Sequence, residues 1–244
     1  MVKTPRDDLS VSNTDPNLKS GRNILLLGFV SLLNDISSEI IQPVLPLFIT
    51  SLGAGGLAVG LIGGISDGLP SILKIFSGCW SDRLGRRKPL VVAGYVLSAA
   101  GKLLLPAASA WQHVFLFKIL ERSGKGIRSA PRDAMISESA SAEQRGRGFG
   151  LHRAMDSAGA VIGSLLAYLL WQGGLSYTSI FLVAGLLAVL ALLPFSRVKE
   201  SYSAPACQAE LKLSGLSPEL RGFLAVACLF AAGNFSYMFF ILRA

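Results

Sequence analysis

The sequence predicts an all-α fold, a polytopic transmembrane helical bundle, from its composition, its apolar runs and the placement of its basic residues. Hydrophobic residues make up 51% of the 244-residue chain, charged residues make up 16%, and the mean hydropathy is +0.52. A soluble domain of this length cannot bury that much apolar surface in one core. Crossing a bilayer core of about 30 Å takes about 20 apolar residues per helix, and several stretches meet this requirement.

Seven stretches are long and apolar enough to be predicted as membrane-spanning helices. They cover residues 24–50, 56–80, 89–110, 111–136, 149–171, 177–195 and 221–242. The first six predict a six-helix transmembrane bundle over residues 24–195. Residues 1–23 are predicted as a disordered cytoplasmic tail and residues 196–220 as a cytoplasmic linker. Residues 221–244 are predicted as a seventh transmembrane helix, the start of a missing second bundle.

Lysine and arginine alternate between the two ends of the predicted helices. They occur in the tail and in the second, fourth and sixth connections, whereas the connections around Gly53, Ala108 and Gly174 contain none. Basic connections stay on the cytoplasmic side of a membrane, so the N-terminus is predicted to be cytoplasmic. The net charge of +8 predicts no nucleic-acid partner, because these residues do not lie on one solvated face.

The sequence predicts no metal site, no cofactor and no enzymatic centre. Cys79, Cys207 and Cys228 lack the paired spacing and the nearby histidines of a zinc site. No carboxylate or histidine cluster has the spacing that metal binding or phosphate chemistry requires.

The connection between the second and third helices carries the most specific pattern, G-x-x-x-D-R-x-G-R-R-K, from Gly78 to Lys88. Gly78 allows a neighbouring helix to approach, Asp82 can accept charge-assisted hydrogen bonds, and Gly85 permits a turn with positive φ. A basic cluster whose only role was to keep this connection on the cytoplasmic side would need the positive charges. It would not need the glycines and the aspartate at these positions.

At every defining position this connection resembles the cytoplasmic signature loop of the major facilitator superfamily. The resemblance implies that the chain is similar to a truncated bacterial permease of this superfamily. It would consist of the N-terminal six-helix bundle and one further helix. The resemblance also implies a charge relay that braces the outward-open state against a second bundle. The gating residues implied are Gly78, Asp82, Arg83, Gly85, Arg86, Arg87 and Lys88, with Arg145 from the fourth connection.

Two further patterns extend the resemblance along the chain. The fourth helix matches the superfamily pattern R-x-x-x-G-x-x-x-G/A, and the fifth has the glycine spacing of an antiporter motif. Ser164 stands where that motif has proline, which leaves antiport direction open. We predict close helix packing at the small residues, with the missing bundle or the second helix as the partner of the fifth. These residues are Gly126, Ala130, Gly150, Gly159 and Gly163.

Ionisable side chains inside the predicted helices are candidates for proton coupling or substrate contact. At mid-bilayer each costs about 2.5 to 3.5 kcal/mol, so each must face protein or water. Asp35 and Glu39, one helical turn apart, are the first choice for proton coupling. A static pair with a basic residue such as Lys102 is the alternative. Arg122 is the candidate for a proton relay or an anionic substrate, and Asp156 completes the set.

Three other polar patterns are predicted to be structural or to line a cavity. A basic stripe on the fourth helix must face a cavity or charged helices, since lipid cannot accommodate it. Asp67 and Lys74 lie on one face of the second helix and predict a charge network. For His152 two interpretations stay open, a group that titrates near neutral pH and a solvated or capping residue. The stripe consists of Lys118, Arg122, Lys125, Ser129 and Arg132.

These observations predict a secondary active transporter that moves a small organic solute by alternating access. Proton coupling is expected, and efflux by antiport is left open. The predicted partners are the lipid bilayer of the bacterial inner membrane, the solute, protons, and a second half-transporter or a second copy of the chain. A truncated, non-transporting fragment is the alternative. A seven-helix receptor agrees with the number of spans, but residues 221–244 lack the lysine that retinal attachment needs.

Overall fold

The computed structural model describes residues 16–141, 143–200, 217–232 and 238–243, and within these ranges the chain is helical with no strand. This confirms the all-α fold class. Two 3₁₀ turns, Leu105–Ala107 and Leu193–Arg197, follow α4 and α7. The helices are α1 (Pro16–Ile41), α2 (Leu45–Ser51), α3 (Gly56–Leu84), α4 (Lys88–Leu104), α5 (Trp111–Glu138), α6 (Arg145–Gln172), α7 (Tyr177–Leu190), α8 (Pro218–Ala232) and α9 (Met238–Arg243).

The first predicted span consists of two helices. Pro43 has no backbone N–H to donate, and the break between α1 and α2 lies there. Pro46 lies in the first turn of α2, where a missing donor costs nothing. α1 begins at Pro16, which corrects the prediction that residues up to 23 form a disordered tail. Residues 1–15 of the predicted tail, and 201–216 of the predicted linker, lie outside the described residues.

Five helices of the described chain are long and apolar enough to cross a membrane. They cover Gly21–Ser51, Gly56–Leu84, Lys88–Ala107, Arg145–Gln172 and Tyr177–Arg197. α5 has 28 residues and is long enough, but its charged stripe makes it too polar to meet the same criterion. α8 has 15 residues, about 22 Å of helix, and its described side chains are exposed.

The helices pack in two groups that α7 joins. α1 lies along α6, and α5 lies between α3 and α4. α7 contacts both α1 and α4, and α9 touches α2 and α3. α1 and α6 make few direct contacts with α5, so the space between the two groups is where cavities can form.

Glycines of α6 bring that helix against the backbone of α1. A Cβ atom at Gly163 would lie 2.6 Å from the carbonyl oxygen of Ile36, and one at Gly159 would lie 2.8 Å from that of Leu32. The packing partner is therefore α1, and not the second helix or a missing bundle as predicted. A Cβ at Gly150 would meet nothing within 4 Å, so the close packing predicted there is also corrected.

Small residues likewise set the distance of α5 from α3. A Cβ at Gly126 would lie 2.6 Å from the Cβ of Leu73, and one at Gly78 would lie 3.4 Å from the Cβ of Ala130. The Ser77 hydroxyl donates a 3.0 Å hydrogen bond to the Gly126 carbonyl. Close backbones hold α5 firmly against its neighbour.

Glycines that the sequence reasoning missed bring α4 equally close to α5. A Cβ at Gly101 would lie 2.7 Å from the backbone nitrogen of Glu121, and one at Gly124 would lie 2.6 Å from that of Ser98. The spacing of small residues along α4 was the signal available in the sequence.

The core has an apolar cluster at each end and a charged layer between them. One cluster surrounds Ile40, Phe48 and Phe181, and the other surrounds Leu27, Tyr95 and Met135. Between them the buried polar residues include Asn34, Lys102, Lys118, Glu121, Arg122 and Arg128. The apolar ends shield this layer, so its electrostatic interactions are stronger than they would be in water.

We expect the substitution Gly163→Ala to lower the unfolding temperature of the purified protein in detergent, because the new methyl group would meet the α1 backbone. Overpacking of this kind costs about 1 to 3 kcal/mol. Tryptophan fluorescence during heating measures the change. Gly150→Ala, on the same helix but in open space, is the matched control and should leave the unfolding temperature unchanged or raise it. Equal losses in both variants would contradict the packing.

Candidate functional site

Two cavities lie between the α1–α6 pair and the α3–α5 pair. The first has a volume of about 700 Å³ and the second about 410 Å³. Lys125 lines both, so they meet at the middle of α5. Four residues of the predicted stripe therefore face cavities, as their polarity requires in a membrane, whereas Lys118 is buried. The four are Arg122, Lys125, Ser129 and Arg132.

The two predicted coupling carboxylates of α1 face different cavities. Glu39 lines the first, where Gln42 donates a 2.5 Å hydrogen bond to its Oε1. Asp35 lines the second, and Asn34 donates to its Oδ1 at 3.4 Å. One helical turn thus places a carboxyl group in each cavity.

A buried charge cluster on α5 reaches the first cavity through Arg122. Lys118 pairs with Glu121, and Arg122 Nε lies 4.0 Å from Glu121 Oε2. Arg122 also lines the cavity, together with Asp67 of α3 and Trp171 of α6. Because Glu121 is shared between two cations, the Arg122 charge remains available to the cavity.

Lys102 does not pair with the α1 carboxylates, which corrects that alternative. Its ammonium group is fully buried and donates to the Asn34 backbone oxygen at 3.1 Å and to the Asn34 side-chain oxygen at 3.2 Å. Lys102 therefore ties α4 to α1 and leaves Asp35 and Glu39 to the cavities.

The wall of the second cavity carries the other basic residues of the stripe. Asp133 accepts Lys74 at 3.2 Å and Arg132 at 3.1 Å. Arg132 also donates to the Ser31 hydroxyl of α1 at 3.0 Å. Lys74 thus pairs with Asp133 of α5 and not with Asp67, which corrects the network predicted within the second helix.

His152 is buried, which corrects its prediction as a solvated or capping residue. Its Nδ1 lies 3.3 Å from Asp156 Oδ2, and only 2% of the residue is exposed. Arg153 approaches the same carboxylate oxygen at 3.7 Å. Asp156 lines the second cavity, so this histidine and carboxylate pair lies at the wall of that cavity.

At one end of the bundle, the hairpin between α3 and α4 is held by an ion-pair chain. Gly85 ends α3 with a φ of 61°, and Arg87 Nη2 lies 3.3 Å from Asp82 and 2.9 Å from Glu138 of α5. Of the arginines in the predicted gating set, Arg87 is therefore the one that forms these ion pairs. Glu138 was missed by sequence reasoning, since only the fold brings it to the hairpin.

The residues assigned to the predicted relay thus differ in their surroundings. Arg83, Arg86 and Arg145 are exposed, and none of them makes an ion pair with another described residue. Lys88 donates a 2.6 Å hydrogen bond to the carbonyl of Val198, beyond α7. The hairpin is therefore anchored to α5 and to the end of α7.

Several of the basic segments that the structure describes meet at this end. Asn23, at the start of α1, exchanges hydrogen bonds of 3.0 and 3.1 Å with the Lys199 backbone. Together with the Arg87 and Lys88 contacts, this brings α1, the hairpin, α5 and the end of α7 to one side. The connections at the opposite end carry no lysine or arginine.

Within the described residues, no group of three or more histidine, cysteine or acidic side chains is placed to hold a metal ion. The membrane-length helices and the charged interior, which opens into two cavities, define a multi-pass membrane protein.

The chain belongs to the Major Facilitator Superfamily, whose family model matches residues 27–243. Members of this family are membrane transporters and not enzymes, which removes the receptor alternative. An MFS-type transporter of Methanocaldococcus jannaschii, described as uncharacterized, is 42% identical over the whole chain. The multidrug resistance protein MdtH of Cronobacter sakazakii is 37% identical over 51% of the chain and 31% of its own length.

Solved transporters share the fold at low sequence identity. A bacterial homolog of the human lysosomal transporter Spinster, in an inward-facing and unoccupied conformation, has a TM-score of 0.62 at 18% identity. It matches 85% of this chain and 49% of its own. The human organic anion transporter MFSD10 has a TM-score of 0.64 at 18% identity, over 80% of this chain and 52% of its own. The chain spans 62% of the length of the archaeal relative and about half of these structures.

We expect Glu138→Gln to loosen the hairpin, because Arg87 would lose a charged partner in a site where 11% of its side chain is exposed. A hydrogen bond to a charged group contributes about 1.5 to 3 kcal/mol. Hydrogen exchange of the amides at residues 82–88 should become faster. Arg86→Gln, on the same hairpin but exposed, should leave exchange unchanged, and a similar increase in both variants would contradict the role of the pair.

Proposed function

We propose that this chain forms the wall of a carrier that moves a small organic solute across the membrane by alternating access, coupled to protons. The observation that supports this most directly is the charged layer, which opens into two cavities between apolar ends. A protein that only spanned the bilayer would gain nothing from such a layer, since each uncompensated charge costs free energy. A pathway for a polar solute, by contrast, requires polar groups that face a cavity inside the membrane.

The proposed proton sites are the carboxyl groups that line the cavities. Asp35 and Glu39 reach different cavities from one helix, and Asp156 with His152 lies beside the second. A carboxyl group in such a place can change its charge state and so favour one conformation over another. Arg122 is the proposed relay or substrate contact, since its charge is only partly compensated by Glu121.

The gating role of the hairpin also belongs to this proposal. Asp82, Arg87 and Glu138 join α3 to α5 at the basic end, and the exposed Arg83, Arg86 and Arg145 are free to meet a second bundle there. A second half-transporter or a second copy of the chain is the proposed partner at this surface. Failure of the chain to transport by itself would support the alternative of a non-transporting fragment.

The location proposed is the bacterial inner membrane, with the N-terminus and the basic end of the bundle in the cytoplasm. The positive-inside rule supports this orientation, because the basic segments converge at one end. Efflux is the proposed direction. The likeness to MdtH, a multidrug resistance protein, favours it over uptake.

We expect the purified chain, reconstituted in liposomes with an imposed pH gradient, to accumulate at least one solute from a small-molecule extract of the expression host. Mass spectrometry of the vesicle lumen measures this. Asp35→Asn and Arg122→Gln should reduce the accumulation about tenfold or more, which corresponds to about 1.4 kcal/mol. Gln112→Ala, exposed and away from both cavities, is the control.

Two outcomes of this experiment would count against the proposal. Accumulation that persists in both variants would remove Asp35 and Arg122 from the mechanism. Accumulation by no version of the chain would favour the non-transporting fragment.

We expect opposite labelling of the two ends of the bundle by a membrane-impermeant maleimide in intact cells. In a cysteine-free background, Ser109→Cys should react from outside, whereas Arg86→Cys should react only after permeabilisation, because both positions are exposed but lie at opposite ends. Labelling of Arg86→Cys in intact cells would reverse the proposed orientation. The background replaces Cys79, Cys207 and Cys228 with serine.

A further inference from the structure

We propose that the second cavity binds the oxyanion group, carboxylate or phosphate, of an amphipathic organic anion, with Arg128 as its anchor. The binding site is argued from the cavity itself. Its use as a solute subsite rests on the transport function proposed above.

The charges that line this cavity are unequal. Three carboxyl groups face it, those of Asp35, Asp133 and Asp156. Five cationic side chains face it, a formal excess of two positive charges. They are Lys74, Lys125, Arg128, Arg132 and Arg153.

Most of the negative charge is already paired. Asp133 is shared by Lys74 and Arg132, and Asp156 is shared by His152 and Arg153. Among the described residues, no carboxylate lies within ion-pairing distance of Lys125 or Arg128. Asp35 faces the same cavity and offsets one of these charges, and the group of Lys74, Arg132 and Asp133 keeps one positive charge. Lys125 and Arg128, one helical turn apart on α5, are therefore the cations of this cavity without a directly paired carboxylate.

The protein compensates the charge of Arg128 only in part. The residue is 3% exposed, its Nη1 donates to the Ser98 hydroxyl at 2.5 Å, and its guanidinium lies 4.2 Å from the centre of the Tyr95 ring. Its Nε has no hydrogen-bond partner. A serine and an aromatic ring compensate only part of a buried charge, which makes the unpaired guanidinium costly.

An oxyanion would complete this arrangement. A guanidinium presents donors in a planar fork that matches the two oxygens of a carboxylate or phosphate, whereas an ammonium is a point charge. Ser98 holds the Arg128 side chain in place from α4, and Lys125 approaches from the boundary with the first cavity. The two residues can therefore bind one group from two directions.

The first cavity fits the rest of such a molecule. Its charges are balanced when Lys125, which lines both cavities, is included: Glu39 and Asp67 stand against Arg122 and Lys125. It is also the larger of the two, and Trp171 lies on its wall with the ring of Tyr168, surfaces that suit an aromatic or aliphatic body. Because Lys125 lines both cavities, an anion bound there would extend directly into the first.

Calorimetric titration of the purified chain in a neutral detergent tests the assignment. The probes are benzoate, phenyl phosphate and, as the cation of similar shape, benzylammonium. Benzoate or phenyl phosphate should bind and benzylammonium should not, and the tighter of the two anions identifies the preferred group. Absence of binding by both anions, or equal binding of the cation, would overturn the proposal.

Four variants separate an anion site from a structural arginine. Arg128→Gln should weaken anion binding about tenfold, and Lys125→Gln, at an exposed position, gives a second measurement if Arg128→Gln does not fold. Asp133→Asn should tighten binding several-fold, because it releases Lys74 and Arg132 toward the cavity. Arg147→Gln, exposed and outside the cavity, should change nothing. Weaker binding in Asp133→Asn would overturn the proposal, since a purely structural role predicts loss in every cavity variant.

The outcomes also distinguish this proposal from the transport function. Anion binding without gradient-driven accumulation would retain the site and remove the carrier function from this chain. Accumulation without anion binding would retain the carrier and remove the site.

Discussion

Every charged side chain inside a membrane protein must be covered by protein or reached by water, and α5 concentrates this constraint in one helix. Its basic stripe is too polar for lipid, so α3 and α4 lie on either side of it and the remaining face opens into cavities. The arrangement of the other helices follows from this requirement. The apolar clusters at the two ends then keep the charged layer away from bulk water.

Small residues make this covering possible. Glycines on both sides of the α4–α5 contact, and on α5 where it meets α3, let backbones approach until neighbouring helices hide the charged groups. Gly159 and Gly163 act in the same way between α6 and α1, directly behind Asp35 and Glu39. The same glycines therefore determine both how closely the helices pack and where the charged groups lie. Larger residues at these positions would move the carboxyl groups as well as the helices.

Partial compensation of charge distinguishes the walls of the two cavities from the hairpin at the basic end. Glu121 satisfies Lys118 closely and Arg122 only at 4.0 Å, while Arg128 has a serine and a tyrosine ring in place of a carboxylate. Fully paired charges would stabilise one static structure. Charges that remain incompletely paired can respond to a proton or to a bound anion, which is what coupling between sites requires. The hairpin at the basic end is paired more completely, through Asp82, Arg87 and Glu138, as suits an anchor.

The sequence by itself determined the fold class, the approximate spans, the alternation of basic connections and the family resemblance, because apolar run length, loop charge and motif spacing are local properties of a chain. Only the tertiary structure decided which charges meet. It pairs Glu138 with Arg87 and Asp133 with Lys74. It also brings the Lys102 ammonium group into hydrogen-bonding distance of Asn34 and packs α1 against the glycines of α6. These partners are distant in sequence, and helical periodicity gives the face of a residue but not the helix that covers it. Asp35 and Glu39 line different cavities for the same reason. Which cavity each carboxyl group faces depends on how all the helices pack, and the sequence near the two residues does not determine that.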